Sequence, residues 1–416
     1  MTLPRAHRDA VPTSVGVLLV LAALLLPAWG NRGPQATSLV DVALVPLVAW
    51  GLFDTCRRMR FPHAFYLLPT LLLVLAGLLA GALSRYPGDS LQAIGTDVYL
   101  LLAALTVTRV VSAPGPWARR AVVAWVAGAV AWTAPLLLSA AGLIPTAAWG
   151  ILVTSQHRAF GTFANPNLAG SYYAVSLFLV LAVVQRAWLR RVLVVPLVIA
   201  VVLTGSMAAL IGTGLAIAVL LVRRLVRQLR APNSLQSTAK LAAAAVVAAL
   251  GIGLTAPALA VTPTVIADTP VLHNSIGRLD RSDSSRFVLW QLGFHTFGDE
   301  VLVGVGPGTA GIRLAQVSEV GKSLHSDLLA SLLERGVLGA VALLLLLGGA
   351  VVTAWRVAVR GAAWLTSPAA LAVAVLTVVP GLVTHEVLHF RHVWLLLGLL
   401  AAARLATAPR TSSELT

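Results

Sequence analysis

The stretch LLASLLERGVLGAVALLLLLGGAVVTAW (328–355) is long and apolar enough to cross a lipid bilayer as one helix. Such a helix needs roughly 20 mainly apolar residues. The only charged residues in this stretch, Glu334 and Arg335, are adjacent and lie near its beginning. Ionisable residues at membrane depth are costly and usually face a cavity or a partner, so this pair marks a candidate functional position.

The rest of the chain repeats this apolar pattern. Of its 416 residues, 58% are hydrophobic and 11% are charged, which excludes a soluble enzyme and a disordered chain. The single cysteine, Cys56, excludes an internal disulfide framework. The same length criterion predicts an all-α polytopic membrane protein in which residues 1–416 form a single transmembrane domain. Its about twelve transmembrane helices are expected near 13–29, 39–53, 65–83, 91–111, 120–142, 167–185, 190–204, 206–222, 241–261, 328–355, 367–385 and 387–405.

The basic residues predict how the chain is oriented. Short cytoplasmic loops of membrane proteins are rich in Lys and Arg. If both termini are cytoplasmic, most of the 30 Lys and Arg residues fall on the inner side, so the net charge of +15 reflects topology. This leaves no folded basic domain for nucleic acid. We therefore expect a multi-pass protein of the cytoplasmic membrane.

One segment departs from the pattern of short loops. Residues 262–327 are polar, fall on the extracytoplasmic side and separate predicted helices 9 and 10. Long loops are usually functional, and we expect this one to carry short helices. A shorter outer loop, 143–167, ends in QHRAFGTFANPNLAG and is the second candidate region.

The end of the shorter loop contains a candidate anion site. Arg158 lies beside the bilayer on the outer face, against the positive-inside bias, and a guanidinium group can clamp a phosphate. Asn165 and Asn167 flank Pro166, where they could support the site or simply cap the following helix.

The long loop contains a second candidate arginine. DRSDSSRFVLWQLGFHTF (280–297) places aromatic residues at roughly helical spacing after Arg286, which suggests an amphipathic helix on the membrane. Arg286 could bind an anion or pair locally with Asp280 or Asp283. The following glycines in VLVGVGPGTAG (301–311) could offer backbone N–H groups to a phosphate, although a simple turn is the safer interpretation.

Two histidine-containing segments complete the candidates. His325 directly precedes the 328–355 helix and is either an interfacial capping residue or a catalytic one. HEVLHFRH (385–392) contains the H-E-x-x-H pattern of zinc proteases in His385, Glu386 and His389. It falls at a predicted outer turn without a second ligand motif, so histidines lining a polar cavity are the favoured interpretation.

Taken together, three outer segments resemble the signature stretches of the O-antigen ligase and O-antigen polymerase family of bacterial membrane glycosyltransferases. The segments are GTFANPNLAG (161–170), SSRFVLWQ (284–291) followed by GVGPGT (304–309), and LHSDLLASLLERGVLG (324–339). The resemblance implies about a dozen helices and transfer of a glycan from a polyprenyl-diphosphate carrier to an acceptor hydroxyl at the outer face. The implied partners are that lipid-linked donor, a glycan or glycolipid acceptor and the bilayer.

The resemblance also implies roles for individual residues. Arg158 and Arg286 match the arginines that hold the carrier diphosphate, and His325 matches the histidine that acts on the acceptor. Asn165, Asn167, Asp327, Glu334 and Arg335 are possible supporting residues. Asp327 departs from the family pattern, in which asparagine commonly follows the histidine, and the HEVLHFRH turn is not part of the signature. Because no D-x-D motif occurs, we expect metal-independent transfer without a cofactor.

Two other functions fit parts of the sequence. Charged residues at helix mouths also occur in transporters of small solutes or lipid-linked glycans, although no paired half-repeats are evident. A membrane metalloprotease would use His385, Glu386 and His389. Ligase and polymerase use the same donor, so the motifs do not separate them.

Overall fold

Helices make up nearly all of the chain that the structure describes, in agreement with the predicted all-α class. The structure is a computed structural model. It describes residues 11–28, 38–58, 64–140, 143, 152–153, 159–163, 165–229, 283–317, 324–384 and 386–406.

The helices fall into two groups along the chain. The first group is α1 (Thr13–Leu25), α2 (Asp41–Arg58), α3 (Leu67–Ala82), α4 (Pro87–Ser112), α5 (Trp117–Ala140), α6 (Pro166–Val183), α7 (Ala187–Thr204) and α8 (Met207–Leu229). Two short antiparallel strands, β1 (Leu152–Val153) and β2 (Ala159–Gly161), precede α6. The second group is α9 (Asp283–Phe297), α10 (Ala310–Val317), α11 (Asp327–Arg360), α12 (Pro368–Ala374), α13 (Val379–Thr384) and α14 (Arg391–Leu405).

Six helices in the described ranges are long and apolar enough to cross a membrane, namely α4, α5, α6, α7, α8 and α11. Three shorter apolar segments are Thr13–Leu25, Leu67–Ala82 and Pro368–Val383. The predicted span at 241–261 lies outside the described residues. A total of about twelve spans and their orientation in the membrane therefore stay predictions.

The last two predicted spans differ in detail from the helices observed. The 367–385 segment is divided into α12, a 3₁₀ turn at Val375–Thr377, and α13. The 387–405 segment becomes helical only at Arg391, because the residues before it form a turn whose backbone N–H groups bond elsewhere.

Helix α6 forms the centre of the bundle. Asn165 caps it, its side-chain oxygen accepting hydrogen bonds from the backbone N–H groups of Asn167 (3.0 Å) and Leu168 (2.8 Å), which confirms the capping interpretation. Tyr172 and Phe178 are fully buried, and Ser176 accepts a hydrogen bond from the Trp125 indole at 2.9 Å. By contrast, α7 and α8 expose many apolar side chains, as helices facing lipid do.

Helix α11 is interrupted near its beginning. Gly336 has φ +69° and ψ −170°, which breaks the helix directly after Glu334 and Arg335. The backbone of the 301–306 segment fills the break. The carbonyls of Leu333 and Glu334 accept hydrogen bonds from the N–H groups of Val305 and Gly306, each at 3.0 Å. Polar backbone released by the break is thus satisfied by the loop, as burial requires.

Several helices carry different chemistry at their two ends. Helix α4 carries Asp97 in its first half and Arg109 in its last turn, and Arg109 pairs with Asp54 at 3.0 Å. Helix α11 carries Glu334 and Arg335 near its start, whereas Arg360 lies in its last turn. One end of the bundle is therefore rich in arginines, as the topology prediction expects, and the acidic residues with His325 gather at the other.

We expect Gly336→Ala to destabilise the fold, because a Cβ at this position would lie 2.3 Å from the Leu302 carbonyl oxygen on a backbone with positive φ. Strained backbone of this kind costs about 1–3 kcal/mol, to which the clash adds. The midpoint of thermal unfolding in detergent, followed by tryptophan fluorescence, should fall. Gly348→Ala is the control in the same helix, because a Cβ there meets no atom within 4 Å. Equal midpoints for the two variants would contradict the account of the break.

Candidate functional site

His325 is held in an unusual backbone conformation at the start of α11. Its φ of +50° makes it the one non-glycine residue with positive φ in the described ranges. Ser326 caps the helix by accepting a hydrogen bond from the Leu329 N–H at 3.3 Å. Such left-handed residues persist only where their surroundings hold them, and they are common at functional sites.

The residue before His325 is anchored from the other side. Leu324 is buried in a small core with Phe297, Leu314 and Leu333, and its carbonyl accepts a hydrogen bond from the Trp290 indole N–H at 3.1 Å. Leu324 also contacts the open face of Gly293. The aromatic helix predicted at 280–297 therefore exists as α9, and it positions the segment that carries His325.

His325 lines a polar cleft of about 470 Å³. The cleft is built from the first half of α4, the start of α6, the start of α10, the first turns of α11 and the turn before α14. Its polar lining residues are Asp97, Asn165, Asn167, His325, Asp327, Ser331, Glu334, Arg335, Glu386 and His389. The structure thus brings together His325, every predicted supporting residue, and two of the three residues of the unassigned turn.

Asp327 holds the wall opposite His325. Its buried carboxylate accepts hydrogen bonds from the backbone N–H groups of Val387 (2.6 Å) and Leu388 (3.1 Å). Asp327 follows His325 by two residues, so this clamp brings the turn before α14 to the histidine. The same carboxylate oxygen accepts both bonds, which gives Asp327 a structural role.

Glu334 holds the glycine-rich loop. Its carboxylate oxygens accept hydrogen bonds from the N–H groups of Gly308 (2.9 Å) and Ala310 (3.2 Å) and so cap α10. Together with the N–H groups of Val305 and Gly306, which bond to α11, these donors are used inside the protein. The loop is therefore a structural turn, and the alternative that it offers these N–H groups to a phosphate is wrong.

A surface ion pair closes the same loop. Arg313 donates to Glu300 at 2.7 and 3.0 Å and lies over the ring of Phe297, with 4.8 Å from its guanidinium carbon to the ring centre. Hydrogen bonding to Arg313 lowers the pKa of the Glu300 carboxyl from its usual value. Because Glu300 is about half exposed, we expect this pair to contribute little to stability.

Arg335 is buried against α3 and α4 rather than exposed in the cleft. Its guanidinium forms an ion pair with Asp97 at 2.6 Å and donates to the Leu73 carbonyl at 3.3 Å. Both side chains are nearly inaccessible to solvent. Asp97 was missed in the sequence, although an acidic residue in the middle of the apolar 91–111 segment is itself a signal for a buried partner.

The HEVLHFRH segment lines the cleft through Glu386 and His389. The Nε2 atom of His389 lies 3.8 Å from an Asp97 oxygen. Residues 386–390 are not helical, so the H-E-x-x-H pattern lacks the helical face on which two histidines bind zinc, and His385 lies outside the described residues. Within the described ranges, no group of three or more His, Cys, Asp and Glu side chains is arranged to hold a metal ion.

His392, which ends this segment, is a core residue. It is buried, and its Nε2 atom lies 2.9 Å from the Ser171 hydroxyl on α6. The next residue back, Arg391, forms a paired ion pair with Asp41 on α2, with its shortest contact at 2.6 Å. These contacts fix the start of α14 and thereby the turn that lines the cleft.

The two predicted diphosphate ligands are not both placed. Arg158 lies outside the described residues. Arg286 lies near the start of α9, and its side chain is likewise outside the described part of the structure. Their roles, and the alternative pairing of Arg286 with Asp280 or Asp283, stay predictions.

Residues 192–344 match the family model described as O-antigen ligase. This stretch is an O-antigen ligase family domain. It runs from α7 through the break in α11 and includes Arg286, His325, Asp327, Glu334 and Arg335. The family implies a membrane enzyme of glycan transfer, of the ligase or polymerase type, that uses lipid-linked glycans. No protein in the curated collection matches the chain.

We expect Asp327→Ala to release the turn before α14, because the N–H groups of Val387 and Leu388 would lose their acceptor. A lost buried acceptor costs about 1–3 kcal/mol. Amide hydrogen exchange of a peptide covering 386–390 should therefore accelerate by about tenfold or more. Glu300→Ala, which removes a carboxylate far from this turn in the chain, is the control. Unchanged exchange at 386–390 in Asp327→Ala would contradict the clamp.

Proposed function

We propose that this protein transfers a glycan from a polyprenyl-diphosphate carrier to an acceptor hydroxyl at the outer face of the cytoplasmic membrane, without a metal ion. The observation that carries the proposal is His325, which lies within the O-antigen ligase domain, has a strained backbone and lines a polar cleft. An imidazole titrating near neutrality is suited to removing a proton from a hydroxyl.

The proposed reaction is a displacement at the anomeric carbon of the donor sugar. The acceptor oxygen forms a bond to this carbon as its proton passes to His325. The bond from the carbon to the carrier diphosphate breaks, and the diphosphate leaves with the electron pair. We assign Arg158 and Arg286 to the diphosphate, because guanidinium groups stabilise the negative charge that develops on the leaving oxygens.

The other cleft residues support this chemistry in different ways. Asn167 and Asn165 lie at the start of α6 and line the cleft, where amide groups can hydrogen-bond to sugar hydroxyls. Asp327 and Glu334 hold two walls through backbone N–H groups. Arg335 is neutralised by Asp97, so we assign it to the fold rather than to the diphosphate.

We expect Arg158→Ala, Arg286→Ala and His325→Ala to reduce glycan transfer by about a hundredfold or more each, as losses of charge-stabilising and proton-transfer groups do. The assay follows consumption of the cell's own lipid-linked glycan in membrane vesicles containing each variant at equal abundance. His295→Ala is the matched control, because His295 is exposed on α9 and does not line the cleft. Wild-type transfer by all three variants would overturn the proposal.

We also expect Trp290→Phe to lower the transfer rate by about three- to tenfold. The change keeps the aromatic ring but removes the N–H that holds the Leu324 carbonyl next to His325. The thermal midpoint should stay near that of the wild type, since only one hydrogen bond is lost. Trp188→Phe, at an exposed position on α7, is the control. A rate equal to that of Trp188→Phe would show that Trp290 does not position His325.

A further inference from the structure

A second pocket lies at the end of the bundle opposite the cleft. It has a volume of about 550 Å³ and lies between the start of α3 and the ends of α11 and α14. Three arginines line it, namely Arg356, Arg360 and Arg404, and we refer to them as the arginine pocket. The remaining lining residues are apolar or aromatic: Ala64, Phe65, Leu67, Leu68, Leu71 and Leu405.

The three positive charges of the arginine pocket repel one another. Arg356 and Arg360 are four residues apart on α11, a spacing at which like charges destabilise a helix. The charge of Arg404 interacts with those of both. Neither Arg356 nor Arg360 takes part in an ion pair with any carboxylate of the described residues. An anion in the pocket would relieve this repulsion.

The start of α3 adds to the positive potential. This helix of 16 residues begins at the pocket, and Tyr66 at its N-cap position makes no side-chain capping hydrogen bond. The N-terminus of a helix carries a partial positive charge and directs N–H groups outward, which favours a bound anion. The pocket thus combines three guanidinium groups with the positive end of a helix.

An apolar stripe leads away from the arginine pocket. Leu68, Leu71, Leu75 and Leu79 follow one another at helical spacing on α3 and are all exposed, from 47% to 64%. With a rise of 1.5 Å per residue, the stripe is roughly 16 Å long, comparable to an extended acyl chain. The opposite face of α3, with Leu73, Ala76 and Ala80, is buried in the bundle. A ligand with both a charged group and a long apolar chain fits this surface.

We propose that the arginine pocket binds the phosphate of an anionic glycerophospholipid, with one acyl chain along the leucine stripe of α3. Basic pockets between transmembrane helices commonly bind anionic headgroups in this way. A general orientation signal, or the complement of the negative helix ends by Arg360 and Arg404, would also place arginines here. Those two explanations predict no preference for one lipid over another.

The test is a titration of the purified protein with dioleoyl phosphatidylglycerol and with dioleoyl phosphatidylcholine, measured by native mass spectrometry. We expect the double variant Arg356→Gln with Arg360→Gln to bind phosphatidylglycerol about thirtyfold more weakly, with about fivefold for each lost contact. Binding of phosphatidylcholine should not change. Arg356→Lys with Arg360→Lys should recover much of the affinity, because lysine also binds phosphate.

Arg190→Gln with Arg191→Gln is the matched control, since it removes the same charge from α7, away from the arginine pocket. It should bind phosphatidylglycerol within twofold of the wild type. Equal affinities of the wild type and the Arg356 and Arg360 double glutamine variant would overturn the proposal, as would an equal loss in the control. Displacement of the lipid by millimolar inorganic phosphate would overturn the assignment of the acyl chain to the stripe. Thermal midpoints show whether each variant is folded.

Discussion

The buried ion pair between Arg335 and Asp97 is the interaction on which the candidate site depends. Two charges removed from water in an apolar bundle are tolerated only as a well-paired unit, and removing one partner from such a pair typically costs about 3–5 kcal/mol. The pair joins α11 to α4, and Arg335 also donates to the Leu73 carbonyl of α3. Directly after Arg335 the helix breaks at Gly336, which leaves backbone groups that the 301–306 segment satisfies. The pair, the break and the inserted loop therefore form one structural unit below the cleft.

This arrangement explains why an acidic cleft suits a protein that we propose to bind a diphosphate. Three of its carboxylates are committed to structure: Asp97 to Arg335, Asp327 to the turn before α14, and Glu334 to the glycine-rich loop. Each stabilises a wall instead of presenting a charge to a ligand. The side chains left to act on a substrate are those at the cleft surface, with His325 held between the Trp290 contact and the capped start of α11.

The sequence predicted some parts of this structure well. The helical class, the Asn165 cap and a helix at 280–297 follow from apolar runs and local capping chemistry, which act over a few residues. The adjacent Glu334 and Arg335 were identified as costly at membrane depth, but their partners were not, because Gly308 and Asp97 are distant in the chain. The H-E-x-x-H pattern suggested a zinc helix that does not form. The pattern contains no information about the Asp327 carboxylate that holds this segment as a turn.

The sequence by itself determined that the protein is an all-α membrane protein, that it contains an O-antigen ligase family domain, and which residue types could perform the chemistry. These properties depend on composition, on the spacing of apolar residues and on short motifs. Only the tertiary structure decided that His325, the start of α6 and the turn before α14 share one cleft, and that three arginines share a pocket at the opposite end. The physical reason is that burial forces each buried polar group to find a partner. In this chain the partners of Arg335, Glu334 and Asp327 lie on other segments.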